Sequence, residues 1–237
     1  MGRVLALLGL AVAFAVADPP AVVADTSPRP LCVTGTARFE GTAPRQKRVN
    51  VGVAANLPAN WQPDPALAIA DGRVRNVIVW VAKAPPGAKP LQRPKPAPVV
   101  IRAEEFNFRP RACAVSAGSK VTFMNAADEY MSVHTLSELN PGTNVCLKPA
   151  TSREVTYDSV EIVRVKSDLY PWMLATVVVA PTPWFAVTDE KGAFTLKDLV
   201  AGEYVVKARH ETLGELEKTV TLAAGREAAI EFVFHKP

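Results

Sequence analysis

Residues 188–208 read T-D-E-K-G-A-F-T-L-K-D-L-V-A-G-E-Y-V-V-K-A, and their apolar side chains recur at every second position. Phe194 and Leu196 fall on one side of an extended segment with Thr195 opposite, and Tyr204, Val206 and Ala208 fall on one side of the next with Lys207 opposite. The same period groups Ile230, Phe232 and Phe234 against Glu231 in A-I-E-F-V-F. A helix would repeat every 3.6 residues, so these are strands with one wet face. Asp189-Glu190-Lys191-Gly192, Ala201-Gly202 and Ala224-Gly225 each set a glycine where a tight turn needs positive φ. The expectation for the carboxyl third is a meander of antiparallel strands, one sheet of a sandwich.

Working outward, strand-like runs continue in both directions. V-T-G-T-A-R-F-E-G begins at Val33, N-V-I-V-W-V at Asn76, P-V-V-I-R-A at Pro98, S-K-V-T-F-M-N at Ser119, A-T-V-V-V-A at Ala175 and E-K-T-V-T-L at Glu217. No stretch of useful length carries a helical stripe, so the fold class is all-β. At 237 residues with 49% hydrophobic composition, the chain is long enough to build a real core.

The amino terminus reads differently. Residues 1–17 hold one basic residue, a short apolar run and Ala15-Val16-Ala17, the pattern of a secretory signal peptide cleaved near Ala17. The apolar run is too short to span a bilayer, and no later segment is long enough. Residues 18–31 form a Pro-rich tether. The expected location is therefore secreted or periplasmic. Removing Arg3 from 27 basic residues leaves 26 against 23 acidic ones, much of the excess lying in two Pro-rich runs near Arg45–Arg48 and Ala88–Pro96. Neither run interleaves aromatics with its cations, so nucleic acid is not an expected partner, and both read as solvated loops. Cys32, Cys113 and Cys146 make no CxxC pair. One disulfide is the simplest accounting in an oxidising compartment, with Cys113–Cys146 favoured among three pairings.

Residues 188–208 resemble the carboxypeptidase regulatory-like (prealbumin-like) domains, whose earlier half matches Gly35–Gly41 followed by Asn76–Val81. About a hundred residues separate the halves, so something is inserted. The insert resembles a cupredoxin. F-N-F-R-P-R from Phe106, V-S-A-G-S-K-V-T-F-M-N-A-A-D from Val115, M-S-V-H from Met131 and S-D-L-Y-P-W-M from Ser167 follow that framework in order. The whole chain, including H-E-T-L-G from His210, is similar to exported bacterial cupredoxin-like proteins of the plastocyanin-like and methylamine-utilisation type. The resemblance implies a prealbumin-like sandwich, residues 32–97 plus 182–237, interrupted by a cupredoxin-like Greek-key sandwich at 98–181.

The ligand positions have changed. A blue-copper centre takes two imidazoles, a thiolate and a weak axial thioether. Carried over by the resemblance, the first His corresponds to Met131, the Cys to Ser167 and the second His to Tyr170, while Met173 alone is retained. A hydroxyl that stays protonated and a phenol with a pKa of about 10 are poor substitutes. The expectation is a degenerate copper site with no cofactor, its Met131, Tyr170 and Met173 forming an apolar plug. The alternative is a copper-binding electron carrier using a non-standard soft set of Met131, Met173, His134 and Cys146. Against it, Met131 and His134 are three apart on an extended segment and face opposite ways.

Other candidates read as structure. His210-Glu211 form a tempting acid–base pair, but neighbours at a strand end diverge. Glu104-Glu105 more simply solvate an edge. No G-x-S-x-G, H-E-x-x-H or phosphate-loop motif occurs, so an enzyme is not expected. Trp61 and Trp184 are candidates for carbohydrate stacking, with buried packing the first choice for Trp184. The expected function is non-catalytic binding or scaffolding, with an envelope protein or a glycan as partner.

Overall fold

The structure is a computed structural model that describes residues 30–51, 60–67, 69–89 and 98–236. The signal peptide, nearly all of the tether and most of the second basic run lie outside the described residues. The first segment contributes β1 (Leu31–Phe39), β2 (Arg48–Asn50), β3 (Trp61–Pro63), β4 (Ile69–Ala70), β5 (Arg73–Val74) and β6 (Ile78–Lys83). Then follow β7 (Val99–Glu104), β8 (Asn107–Arg109), β9 (Ala112–Ser116), β10 (Ser119–Asn125), β11 (Met131–Leu136), β12 (Asn144–Leu147), β13 (Ser152–Tyr157), β14 (Glu161–Lys166) and β15 (Leu174–Ala180). The last segment adds β16 (Phe185–Val187), β17 (Ala193–Leu199), β18 (Gly202–His210), β19 (Gly214–Leu222) and β20 (Ala228–Phe234).

These strands build four principal sheets. The outermost runs β17-β1-β5-β4, with β20 on the other edge of β1, and it faces a sheet ordered β16-β6-β18-β19. Between them lies a core of Val33, Val79, Val81, Phe194, Leu196, Tyr204, Val206 and Phe232. The middle of the chain forms the sheets β12-β11-β14-β15-β9 and β13-β10-β7-β8. Ile101, Val121, Phe123, Val133, Tyr157, Val163 and Val177 fill the space between that pair.

Alternation explains how the two sandwiches join. β6 sends Val79 and Val81 into the first core and Ile78 and Trp80 to its other face. β9 and β15 likewise send Cys113, Val115, Val177 and Val179 into the second core, and Ala112, Ala114, Val178 and Ala180 outward. The outward set closes a third apolar layer in which small alanines receive Ile78 and Trp80. Strands buried on both faces read as unbroken apolar runs, which is why N-V-I-V-W-V and A-T-V-V-V-A lack polar alternation. The fold is all-β, one sandwich interrupted by another, and four sheets deep.

The turn glycines take the positive φ their positions demand, 68° at Gly192, 147° at Gly202 and 74° at Gly225. Gly35 is fixed by close approach instead, since a Cβ there would strike the Phe194 ring and the Ile230 carbonyl. The inward faces of the carboxyl third match the sequence: Phe194, Leu196, Tyr204, Val206, Ala208, Phe232 and Phe234 are buried.

The meander does not form. Within that third, only β18 and β19 pair as neighbours, whereas β17 and β20 flank β1, antiparallel and parallel respectively. The first strand supplies the edge that each needs. The expected Cys113–Cys146 disulfide is also absent, all three cysteines being free. Cys113 is on β9 and Cys146 on β12, opposite edges of a five-stranded sheet. Four strand spacings, about 19 Å, separate them, far beyond disulfide reach.

Candidate functional site

The loop between β14 and β15 is built by Ser167. Its Oγ accepts hydrogen bonds from the amides of Leu169 at 3.2 Å and Tyr170 at 3.1 Å. Its own amide donates to the Met173 carbonyl at 3.1 Å, and the Met173 amide donates to the Tyr170 carbonyl at 2.9 Å. A short polar side chain that caps its own backbone in this way stabilises a tight turn. Ser132 on β11 anchors the loop from outside, accepting from the Asp168 amide at 3.1 Å.

Asn125, fully buried at the end of β10, positions the opposite wall. It donates to the carbonyls of Glu129 at 2.7 Å and Leu147 at 2.9 Å, and accepts from the Ala127 amide at 2.9 Å. Those bonds fold the 126–130 segment so that β11 starts with Met131 pointing inward. Met131 and Met173 are both 0% exposed, and Tyr170 is 6% exposed in the same apolar cluster. The Tyr170 ring meets Phe106 edge-on, centroids 5.2 Å apart, and lies 5.9 Å from the Trp172 ring. Trp172 Nε1 donates to the Phe106 carbonyl at 3.1 Å. Phe106 and Glu105 sit at φ of 58° and 48° in the β7–β8 turn, a strained backbone that these aromatic contacts help to hold.

The structure thus brings Met131, Ser167, Tyr170 and Met173 to one closed region, and their chemistry does not suit a copper ion. A hydroxyl has two acceptor lone pairs. Two backbone amides take both on Ser167, leaving only a proton to offer. Burial, reinforced by the neighbouring Glu129 and Cys146, holds the Tyr170 phenol above its usual pKa, so a phenolate is disfavoured. Two thioethers remain, too few for a stable centre. Among the described residues no three His, Cys, Asp or Glu side chains gather as a metal-binding group.

The outlying candidates lie elsewhere. His134 sits on the outer face of β11 with Nδ1 2.9 Å from Asp168, whose other oxygen meets Lys166 at 2.7 Å. Cys146 is paired across from Ser132 on the same outer face and is exposed. Neither points toward the methionines. Cys113 is buried, which pushes its thiol up to about 12.

His210 and Glu211 diverge as neighbours do. The buried His210 accepts from the Thr212 amide at Nδ1, so its ring proton rests on Nε2, which has no partner among the described residues. Glu211 turns the other way and receives the Arg111 guanidinium at 2.5 Å, a buried ion pair joining the two sandwiches. Glu104 and Glu105 clasp Arg109 at 3.5 and 3.0 Å. Trp61 is 54% exposed. Trp184 offers no platform: it lies in the first core, edge-on to Tyr204 at 6.0 Å, its Nε1 donating to the Asp198 carbonyl. Phe185, next to it, packs into the inter-sandwich layer. Sequence reading missed the parts of Ser132 and Arg111, which bond to residues 36 and 100 positions away and leave no local pattern.

Fold and site together define a class: an all-β chain of two stacked sandwiches with a tight, side-chain-capped loop packed on the second core. No protein-family model matches the chain, and no curated protein matches it in sequence. Among solved structures it is similar to variants of amicyanin. A Cu(I) form aligns over 35% of this chain and 81% of its own length at 16% identity and a TM-score of 0.32. A second Cu(I) form and an oxidised form each align over the same shares at 18% identity and the same TM-score. No helix among the described residues is long and apolar enough to cross a membrane.

Proposed function

We propose that this is an exported, non-catalytic binding or scaffolding protein whose cupredoxin-like part has given up type 1 copper and keeps the loop as a structural closure. The observation that carries this reading is the Ser167 hydroxyl, its two lone pairs taken by the amides of Leu169 and Tyr170. It is supported by the leader-like residues 1–17 and by the burial of Met131, Tyr170 and Met173 in continuous apolar packing. The remaining polar pairs, His210 with Thr212, Glu211 with Arg111 and His134 with Asp168, are each engaged in holding elements together rather than converging on a cleft.

Incubating the purified mature chain with Cu(II), followed by dialysis, a visible spectrum and metal analysis, tests this. We expect no intense thiolate-to-copper band and copper well below one ion per chain. Stoichiometric copper surviving dialysis would overturn it in favour of an electron carrier.

A further inference from the structure

The basic run 45–48, read from sequence as solvated loop, borders two concavities. One, about 310 Å³, has Pro44, Ala66, Leu67 and Leu213 among its walls and Arg45, Lys47 and Lys236 as its cations, with Asp64 its acidic residue. The other, wider and about 930 Å³, is lined by Arg45, Gln46, Lys47, Arg48 and Trp61. Arg45 and Lys47 border both, so the two are adjoining lobes of one groove, each in the size range of ligand sites.

Its construction is specific. Gln46 Nε2 donates to the Asp64 carbonyl at 3.1 Å, and the Asp64 amide donates to the Lys47 carbonyl at 2.8 Å, pinning the run to the chain after β3. In the β2–β3 ribbon Arg48 pairs with Pro63 and Asn50 with Trp61, which sets Arg48 and Trp61 on one face. The Arg48 guanidinium donates to the Trp61 carbonyl at 2.7 Å, fixing a cation beside the open indole.

Cations outnumber carboxylates there, Arg45, Lys47, Arg48 and Lys236 against Asp64. Among the described residues Arg45, Lys47 and Lys236 form no ion pair, and Asp64 already accepts the Ala66 amide. A row of unmatched cations beside one exposed aromatic face complements an anion with a flat, C–H-rich surface. We propose that this groove binds an acidic polysaccharide, with a sugar ring stacked on Trp61 and its carboxylates or sulfates held by Arg45, Lys47, Arg48 and Lys236. The assignment deepens the binding reading above by naming its ligand class. Single-stranded nucleic acid would use several stacking rings, and among the described residues the groove has one.

Calorimetric titration of the mature chain with oligogalacturonate (carboxylated) and heparin oligosaccharide (sulfated) tests this, with neutral dextran, polyglutamate and oligo-dT as comparisons. Binding to at least one acidic sugar, none to dextran, and a loss of roughly tenfold or more in Trp61→Ala are expected. In Arg45→Gln with Lys47→Gln, affinity falls and its salt dependence flattens. These side chains are on the surface, and unchanged melting confirms that the variants fold. Failure of both acidic sugars to bind overturns the assignment, as does equal binding of polyglutamate or oligo-dT, or indifference to Trp61→Ala. Copper retention in the same preparation would overturn the metal-free reading and leave the groove assignment standing, so the two fail separately.

Discussion

Ser167 concentrates the chemistry of the closed pocket in one hydroxyl. Replacing it with alanine leaves the amides of Leu169 and Tyr170 without their acceptor, a cost of about 1–3 kcal/mol. The melting temperature of Ser167→Ala should fall by several degrees, readable by calorimetry, while Met173→Ala should lose more, about 2–5 kcal/mol, because it empties a fully buried volume. The turn itself was legible, since Pro171-Trp172 marks the loop that holds Ser167, Tyr170 and Met173, whereas Met131 comes from the start of β11. The direction of the lone pairs was not, because it depends on backbone geometry that residue types alone do not set. Under the proposed reading, combining Met131→His, Ser167→Cys and Tyr170→His should produce an intense charge-transfer band with Cu(II), whereas Ser167→Cys alone should not.

At the level of elements, the β11–β12 loop hangs on one carboxylate. Burial pushes Glu161 up, but the amides of Glu138 and Leu139 and the side chains of Ser137 and Asn140 outweigh it, and the net pKa is about 2. A carboxylate depressed in the folded state adds stability that is complete above its ordinary value near 4.5 and is lost as pH falls through about 2. Glu161→Gln should therefore flatten the stability curve between those limits and lose about 1–2 kcal/mol at neutral pH, after allowance for solvent screening. Chemical denaturation at several pH values measures both. Strand faces were readable because burial obeys a period of two, as in Tyr204, Val206 and Ala208. Strand partners were not: alternation says which side of β20 faces the core, but nothing local says that its neighbour is β1, 195 residues away at Thr36 and Glu231.

Across the whole molecule, the joint between sandwiches places three ionisable groups, His210, Glu211 and Arg111, in a largely buried layer. Burial first, and then the Arg111 charge, lower His210 from 6.5 to about 4. The folded state keeps it neutral while the unfolded chain takes up a proton, so its contribution is intact above pH 6.5 and is lost as pH falls toward 4, about 3 kcal/mol in all. Glu211 works in the opposite sense, since burial raises its pKa despite the Arg111 partner and the folded state binds its proton first. His210→Gln should isolate the first effect by removing the steepening between pH 6.5 and 4. Arg111→Ala, which strands the Glu211 carboxylate, should cost about 3–5 kcal/mol at neutral pH.

The parallel pairing of β1 with β20 also orders events during synthesis. A ribosome releases β1 long before its mate, so the outer sheet has an open seam until residues 228–234 have emerged. The strands from β7 to β15 find all their sheet neighbours among themselves and are free to assemble earlier. A nascent chain halted before residue 228 would carry a finished inner half and an adhesive outer one, the kind of intermediate that holding chaperones capture.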